Sequence, residues 1–184
     1  AMMFSVLPAS TVLVYADGIS ETISADTTWN DGDTVGGVTI SGGTVTINGD
    51  VGITAAITIK GNVTFTGGGT LNRMSTSGNL IKVESGSLTL GNVTIDGNNV
   101  TISDSWTAAA INMADGTVIM NDGAKITNHK RTSGYGPAVY MTGGNFKMKG
   151  GTISGCESRN YGGAIYLDGG SFEMNGGIIE NNKT

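Results

Sequence analysis

The chain has 184 residues, 31 of them glycine and two proline, with 14% charged residues and a net charge of -5 at neutral pH. This length suits one domain, and an acidic chain with ten Lys and Arg lacks the clustered cations that a phosphate backbone demands, which argues against a nucleic-acid partner. The single cysteine, Cys156, cannot close an intramolecular disulfide, so cysteine usage gives no redox compartment.

Residues 2–16 (MMFSVLPASTVLVYA) are apolar, uncharged and end in a small residue, in the manner of the hydrophobic part and cleavage site of a secretory signal, without its basic lead. Residues 1–16 therefore read as the remnant of an export signal or as a hydrophobic cap. They are too short for a membrane span, which needs about 20 apolar residues. Residues 17–34 are more polar and less regular, and read as a lead-in or cap. Within them Asn30-Asp31-Gly32-Asp33 has the composition of a calcium loop but lacks the Glu that closes one, so calcium near Asp31 and Asp33 stays an open alternative to plain turn formation.

From residue 35 to 184 the pattern is repetitive. Short apolar-x-apolar triplets begin with Val38-Thr39-Ile40, Val45-Thr46-Ile47, Ile57-Thr58-Ile59 and Val63-Thr64-Phe65, with glycines between them. After Ile81 a longer unit appears four times: Ile81-Lys82-Val83 precedes Leu88-Thr89-Leu90 by seven residues, and the same step links Ile111 to Val118, Val139 to Phe146 and Ile165 to Phe172. A third apolar pair ends at Ile95, Ile126, Ile153 and Ile179. Alternation of period 2 puts both apolar residues of each triplet on one face, and no helical period is present. One such unit cannot bury its apolar face alone, so units must stack.

The expected fold is all-β: a right-handed parallel β-helix of about five or six coils, each with three short strands, stacked roughly 4.8 Å apart. First-strand spacings of 30, 28 and 26 residues from Ile81 through Ile111 and Val139 to Ile165 place the length variation in the connections after the third strand, as excursions from one edge. No capping helix precedes Thr184, and solenoids need capped ends, so the expectation is a fragment truncated at its C-terminus.

Alternation places Lys82, Asn112, Tyr140 and Tyr166 outward on one face, where the two tyrosines would stack on an exposed strip. The edge connections add Trp106, then His129, Arg131 and Tyr135, then Arg159 and Tyr161. Exposed aromatics among polar neighbours suit sugar rings or a protein partner. The candidate ligand-binding set is therefore Tyr140, Tyr166, Trp106, Arg131, Tyr135, Arg159 and Tyr161; the alternative is that these side chains only shield strand backbone. His129 reads as a solvated loop residue and Cys156 as a small packed or half-exposed thiol. Outward threonines at Thr39, Thr46, Thr58, Thr64, Thr89 and Thr94 invite comparison with ice-binding arrays, but Lys125, Lys147, Glu173 and Ile178 interrupt the pattern and β propensity explains it better.

The run Gly162-Gly163-Ala164-Ile165 followed by Phe172-Glu173-Met174-Asn175 resembles the GGA-(I/L/V) and FxxN repeats of polymorphic outer-membrane adhesins and related bacterial β-helices of the pectin-lyase-like superfamily. The run 162–182 is also similar to repeats in large cell-surface proteins of gut Firmicutes. Gly136-Pro137-Ala138-Val139 keeps the first motif loosely, whereas Lys149 stands where the second wants Asn. The resemblance implies a secreted or cell-surface adhesion module more than any chemistry.

A glycosidase needs two converging carboxylates and a lyase a base beside acidic calcium ligands. Neither set stands out: Asp96 and Asp104 share one loop, Asp115 and Asp122 sit beside turns, and no Ser or Cys motif addresses His129. The expectation is thus a non-catalytic adhesion or scaffold module, without cofactor or metal, contacting glycan or a host surface protein through its edge loops. A polysaccharide-binding or polysaccharide-degrading domain is the alternative, and end-to-end self-association through open coil ends a further one.

Overall fold

A computed structural model describes residues 21–103 and 108–184. Among the described residues there is no helix, and every strand pairing is parallel. Among the described residues seven units follow one another. The first comprises Thr22–Ile23, Thr27–Asn30 and Thr34–Val35; the second Thr39–Asn48 and Asp50–Ile53; the third Ile57–Thr66 and Thr70–Arg73. The fourth comprises Ile81–Val83, Ser87–Leu90 and Thr94–Asp96, and the fifth Ile111–Met113, Thr117–Met120 and Lys125–Thr127. The sixth is Val139–Met148 with Thr152–Ser154, and the seventh Ile165–Met174 with Ile178–Glu180.

The last strand of each unit joins one seven-stranded sheet in chain order, while the earlier strands build a ten-stranded sheet. Register pairs Ile57 with Ile81, Ile81 with Ile111, Ile111 with Val139 and Val139 with Ile165, so the spaced apolar positions form one column. A second column runs through Val63, Leu88, Val118, Phe146 and Phe172, and a third through Leu71, Ile95, Ile126, Ile153 and Ile179. Buried residues of both sheets belong to a single apolar cluster. Each Ile, Leu or Val fully withdrawn from water contributes about 1.5–3 kcal/mol, so the columns are the principal source of stability.

Residues 22–35 repeat this scheme: Thr22 pairs with Thr39, Trp29 with Ile47 and Val35 with Ile53. The register offset is 17 residues from Thr22 to Thr39, 30 from Ile81 to Ile111 and 26 from Val139 to Ile165.

Three short strands per unit is correct for the first, fourth and fifth units only. In the second, third, sixth and seventh, the two expected strands and the glycines between them run on as one ten-residue strand. At Gly143-Gly144 the strand carries a local irregularity, with the register slipping between Met141 and Asn145 without the ladder ending. Ile57–Thr66 accordingly pairs with both Ile81–Val83 and Ser87–Leu90, and Val139–Met148 with both Ile111–Met113 and Thr117–Met120. These six strands make a closed path of pairings, because each long strand hosts two short ones along its length.

The connections after the third strand also differ from expectation. Instead of looping free, they pair with one another: Thr101–Ile102 lies beside Lys130–Arg131, Lys130 bridges to Glu157, and Glu157 to Lys183. Backbone bonds from Glu157 N to His129 O and from Lys183 N to Cys156 O, both 2.9 Å, continue this extra ladder. It draws in residues whose local sequence looks solvated.

Candidate functional site

The in-register pairing of Tyr140 with Tyr166 stacks their rings, with centroids 5.8 Å apart and planes 10° apart. Two further rings come from the connections. Tyr135 lies 4.6 Å from Tyr166, and Tyr161 lies 5.7 Å from Tyr135, both stacked. The order is therefore Tyr140, Tyr166, Tyr135, Tyr161, a continuous aromatic ribbon built from two strands and two connections.

Three local features hold the connection rings in place. The backbones of Tyr135 and Tyr161 form a parallel bridge, with Gly136 N donating to Tyr161 O at 3.3 Å. The Arg131 guanidinium donates through Nη1 to the carbonyl of Tyr135, and the Ser158 hydroxyl donates to that of Tyr161 at 3.3 Å. Gly136 has φ of +49°, and a Cβ there would sit 2.7 Å from the backbone N of Tyr166, so only glycine lets the Tyr135 backbone approach so closely.

Exposure varies along the ribbon. Tyr161 is 66% exposed and Tyr140 only 7%, so the expected exposed strip is open at one end and packed at the other. The Tyr140 phenol is pushed above its usual pKa, first by burial and then by the Asp168 carboxylate, with Tyr166 and Tyr135 adding and Arg131 opposing. It therefore stays a neutral hydroxyl at physiological pH. Lys82 and Asn112 occupy the same outward column as Tyr140, as alternation expects.

The remaining sequence candidates divide. Arg159 is exposed, in the same connection as Tyr161. Arg131 is buried, at 2% exposure, and acts through the Tyr135 carbonyl instead of presenting its charge at the surface. Trp106 lies outside the described residues, as does Asp104.

His129 is corrected outright: it is 1% exposed, not solvated, because the extra ladder folds its connection onto the stack. Its Nε2 lies 3.3 Å from the carbonyl of Ile95. Burial, reinforced by the Arg73 charge and opposed by that carbonyl, lowers its pKa from 6.5 to about 3, so it is neutral. Cys156 is fully buried, its Sγ 3.5 Å from Ser154 O, and burial raises its thiol to about 11.

Sequence reasoning missed Arg73, buried at 1% in an inward strand position. Its Nη1 and Nη2 donate to Gly78 O and Ala109 O, each at 3.0 Å. The available signal was its place two residues after inward Leu71.

Four aspartates accept hydrogen bonds from backbone N–H groups. Asp33 accepts from Asn30 N at 2.7 Å, Asp31 from Asp50 N at 2.9 Å, and Asp26 from Thr44 N at 2.8 Å. Asp96 accepts from Asn98 N at 2.6 Å and from the Asn128 amide. Among the described residues no group of three or more His, Cys, Asp and Glu is placed to hold a metal.

Two surface hollows stand apart from the ribbon. One of about 500 Å³ lies between Thr54, Ser75, Asn79 and Lys82 and has no carboxylate in its lining; one of about 400 Å³ lies by Lys130, Glu157 and Lys183, with Glu157 its single carboxylate. The arrangement can offer stacked ring faces, phenol hydroxyls and an exposed guanidinium, which is chemistry for holding a ligand. No family model, no curated protein and no solved structure matches this chain.

Proposed function

We propose that this protein is a non-catalytic adhesion or scaffold module of a secreted or cell-surface bacterial protein, built as a right-handed parallel β-helix. Parallel crossover connections are right-handed in nearly all proteins, and the in-register apolar columns support a coil that advances one strand spacing per unit. Export is supported by the uncharged apolar stretch 2–16 and by the adhesin-like motifs at Gly162 to Asn175.

The observation that carries the binding reading is the four-tyrosine ribbon ending in exposed Tyr161. Ring faces offer apolar area with little rotamer entropy to lose, which suits the C–H faces of sugars or an apolar anchor of a protein. Glycan is the preferred ligand, since phenol hydroxyls, Arg159 and Asp168 supply polar contacts around that face.

A glycan array run beside a reducing-sugar assay on pectin and mucin tests this. Binding without release of reducing ends is expected. Turnover of either polymer would replace the module by a polysaccharide-degrading enzyme, and absence of all glycan binding would leave the scaffold role without this ligand.

A further inference from the structure

Register sorts the outward threonines onto two different faces. Thr94 and its partners Thr70 and Lys125 belong to the seven-stranded sheet, together with Ile178. Thr46, Thr64 and Thr89 belong to the ten-stranded sheet, so Lys125 and Ile178 do not interrupt them.

Within the ten-stranded sheet Val45 lies beside Phe65 and not Val63, which pairs Thr44 with Thr64 and Thr46 with Thr66. Thr28 continues one column beside Thr46, and Thr89 continues the other beside Thr64. Two adjacent columns of threonine result, Thr28-Thr46-Thr66 and Thr44-Thr64-Thr89. The register slip between these two long strands falls at Ile40 and Gly42, outside the block.

All six threonines point away from the core, because the residues alternating with them, Trp29, Val45, Ile47, Phe65 and Leu88, are buried. Thr28 is exposed and the other five are half-buried. Among the described residues none of the six hydroxyls is hydrogen-bonded to the protein. The charges bordering the block are engaged: Lys60 pairs with Glu84 at 3.4 Å, and Asp26 accepts from Thr44 N at 2.8 Å. β propensity would be met equally by Ile, Val or Tyr, and farther along the Thr44 column stand Ile119 and Lys147. It explains single threonines but not an unbroken block of them.

Strand geometry sets the repeat of this block. Two residues along a strand span about 6.6 Å, and neighbouring strands lie about 4.8 Å apart. The β-branched side chain is stiff at χ1, so methyl and hydroxyl groups recur in a fixed orientation on a two-dimensional grid. That grid is close to the spacing of oxygens on the faces of hexagonal ice. Water caged around the methyls can be anchored by the unused hydroxyls, and no charge within the block imposes a competing hydration shell.

We propose that this threonine face binds ice. The ligand is the ordered water of an ice surface, held by the six side chains acting together. The face is separate from the tyrosine ribbon, which lies in later units, and does not depend on glycan binding. Its small extent limits the strength, so the effect to read is enrichment in growing ice and not a large depression of the freezing point.

Partition of the full chain between slowly growing ice and the remaining liquid tests this, with serum albumin as the non-binding reference. Enrichment at least about fivefold over albumin is expected, abolished by Thr64→Lys and by Thr64→Tyr. Tyrosine favours strands as threonine does, so loss in that variant reports the surface and not the fold, and thermal unfolding of each variant checks this. Thr94→Lys places the same charge on the seven-stranded sheet and should leave enrichment unchanged. Enrichment no greater than albumin's, enrichment indifferent to both Thr64 variants, or equal loss in Thr94→Lys would each overturn the proposal. So would Thr64-dependent binding to crystalline cellulose without enrichment in ice, which would give the face to a polysaccharide surface.

Discussion

Tyr135 stacks on Tyr166 at 4.6 Å, nearer than any other ring pair among the described residues, although one sits in the connection after the fifth unit and the other in a strand of the seventh. That contact joins the strand tyrosines to the connection tyrosines and makes one ribbon of what would be two separate pairs.

Tyr166 and Tyr161 should respond differently to truncation. Tyr166→Ala removes two stacked contacts from a half-buried position and is expected to cost about 1–3 kcal/mol of stability. Tyr161→Ala, at the exposed end, should stay within about 0.5 kcal/mol. Both should weaken glycan binding, so denaturant titration and array signal together separate folding from recognition.

His129 gives the fold a pH dependence. Its pKa is about 3 when folded, against the ordinary 6.5, so the unfolded chain takes up the proton first. Its stability contribution is complete above pH 6.5 and is lost as pH falls toward 3, with an ultimate effect on the order of 5 kcal/mol. Chemical denaturation between pH 7 and 5 should show falling stability in the unmodified protein and a flatter profile in His129→Asn.

Cys156 should be inert in the native protein. A buried thiol with pKa near 11 has almost no thiolate at pH 8. Reaction with a disulfide reagent should proceed only after unfolding, and a native rate matching the denatured rate would contradict the burial described.

Close backbone stacking makes one glycine far less replaceable than another. A Cβ on Gly61 would fall 1.7 Å from Ser41 O, a main-chain atom of the preceding unit that cannot swing aside. Gly61→Ala should cost more than about 3 kcal/mol. Gly32→Ala meets nothing within 4 Å and bears only the left-handed φ of +83°, a cost of about 1–2 kcal/mol. Thermal denaturation of the two variants should rank them in that order.

The alternation of Ile111-Asn112-Met113 and its counterparts is legible from sequence because a strand has a fixed side-chain period, and equal seven-residue steps keep successive strands in phase. The stacking of Tyr140 on Tyr166 follows from the same rule. His129 and Arg131 were not legible: the run Asn128-His129-Lys130-Arg131 has the composition of a solvated loop, and only its pairing with Glu157 and neighbouring strands takes it out of water.

Sequence by itself determined the inward columns, the outward tyrosine pair and the parallel, all-β character of the chain, since each depends on local periodicity. Tertiary structure decided that pairs of short strands run on as continuous ones, that the connections form a ladder of their own, and that Tyr135 and Tyr161 join the ribbon. Those outcomes depend on contacts between residues of different units, and the free energy of such contacts is set by what lies above and below each residue in the stack, which no local pattern encodes.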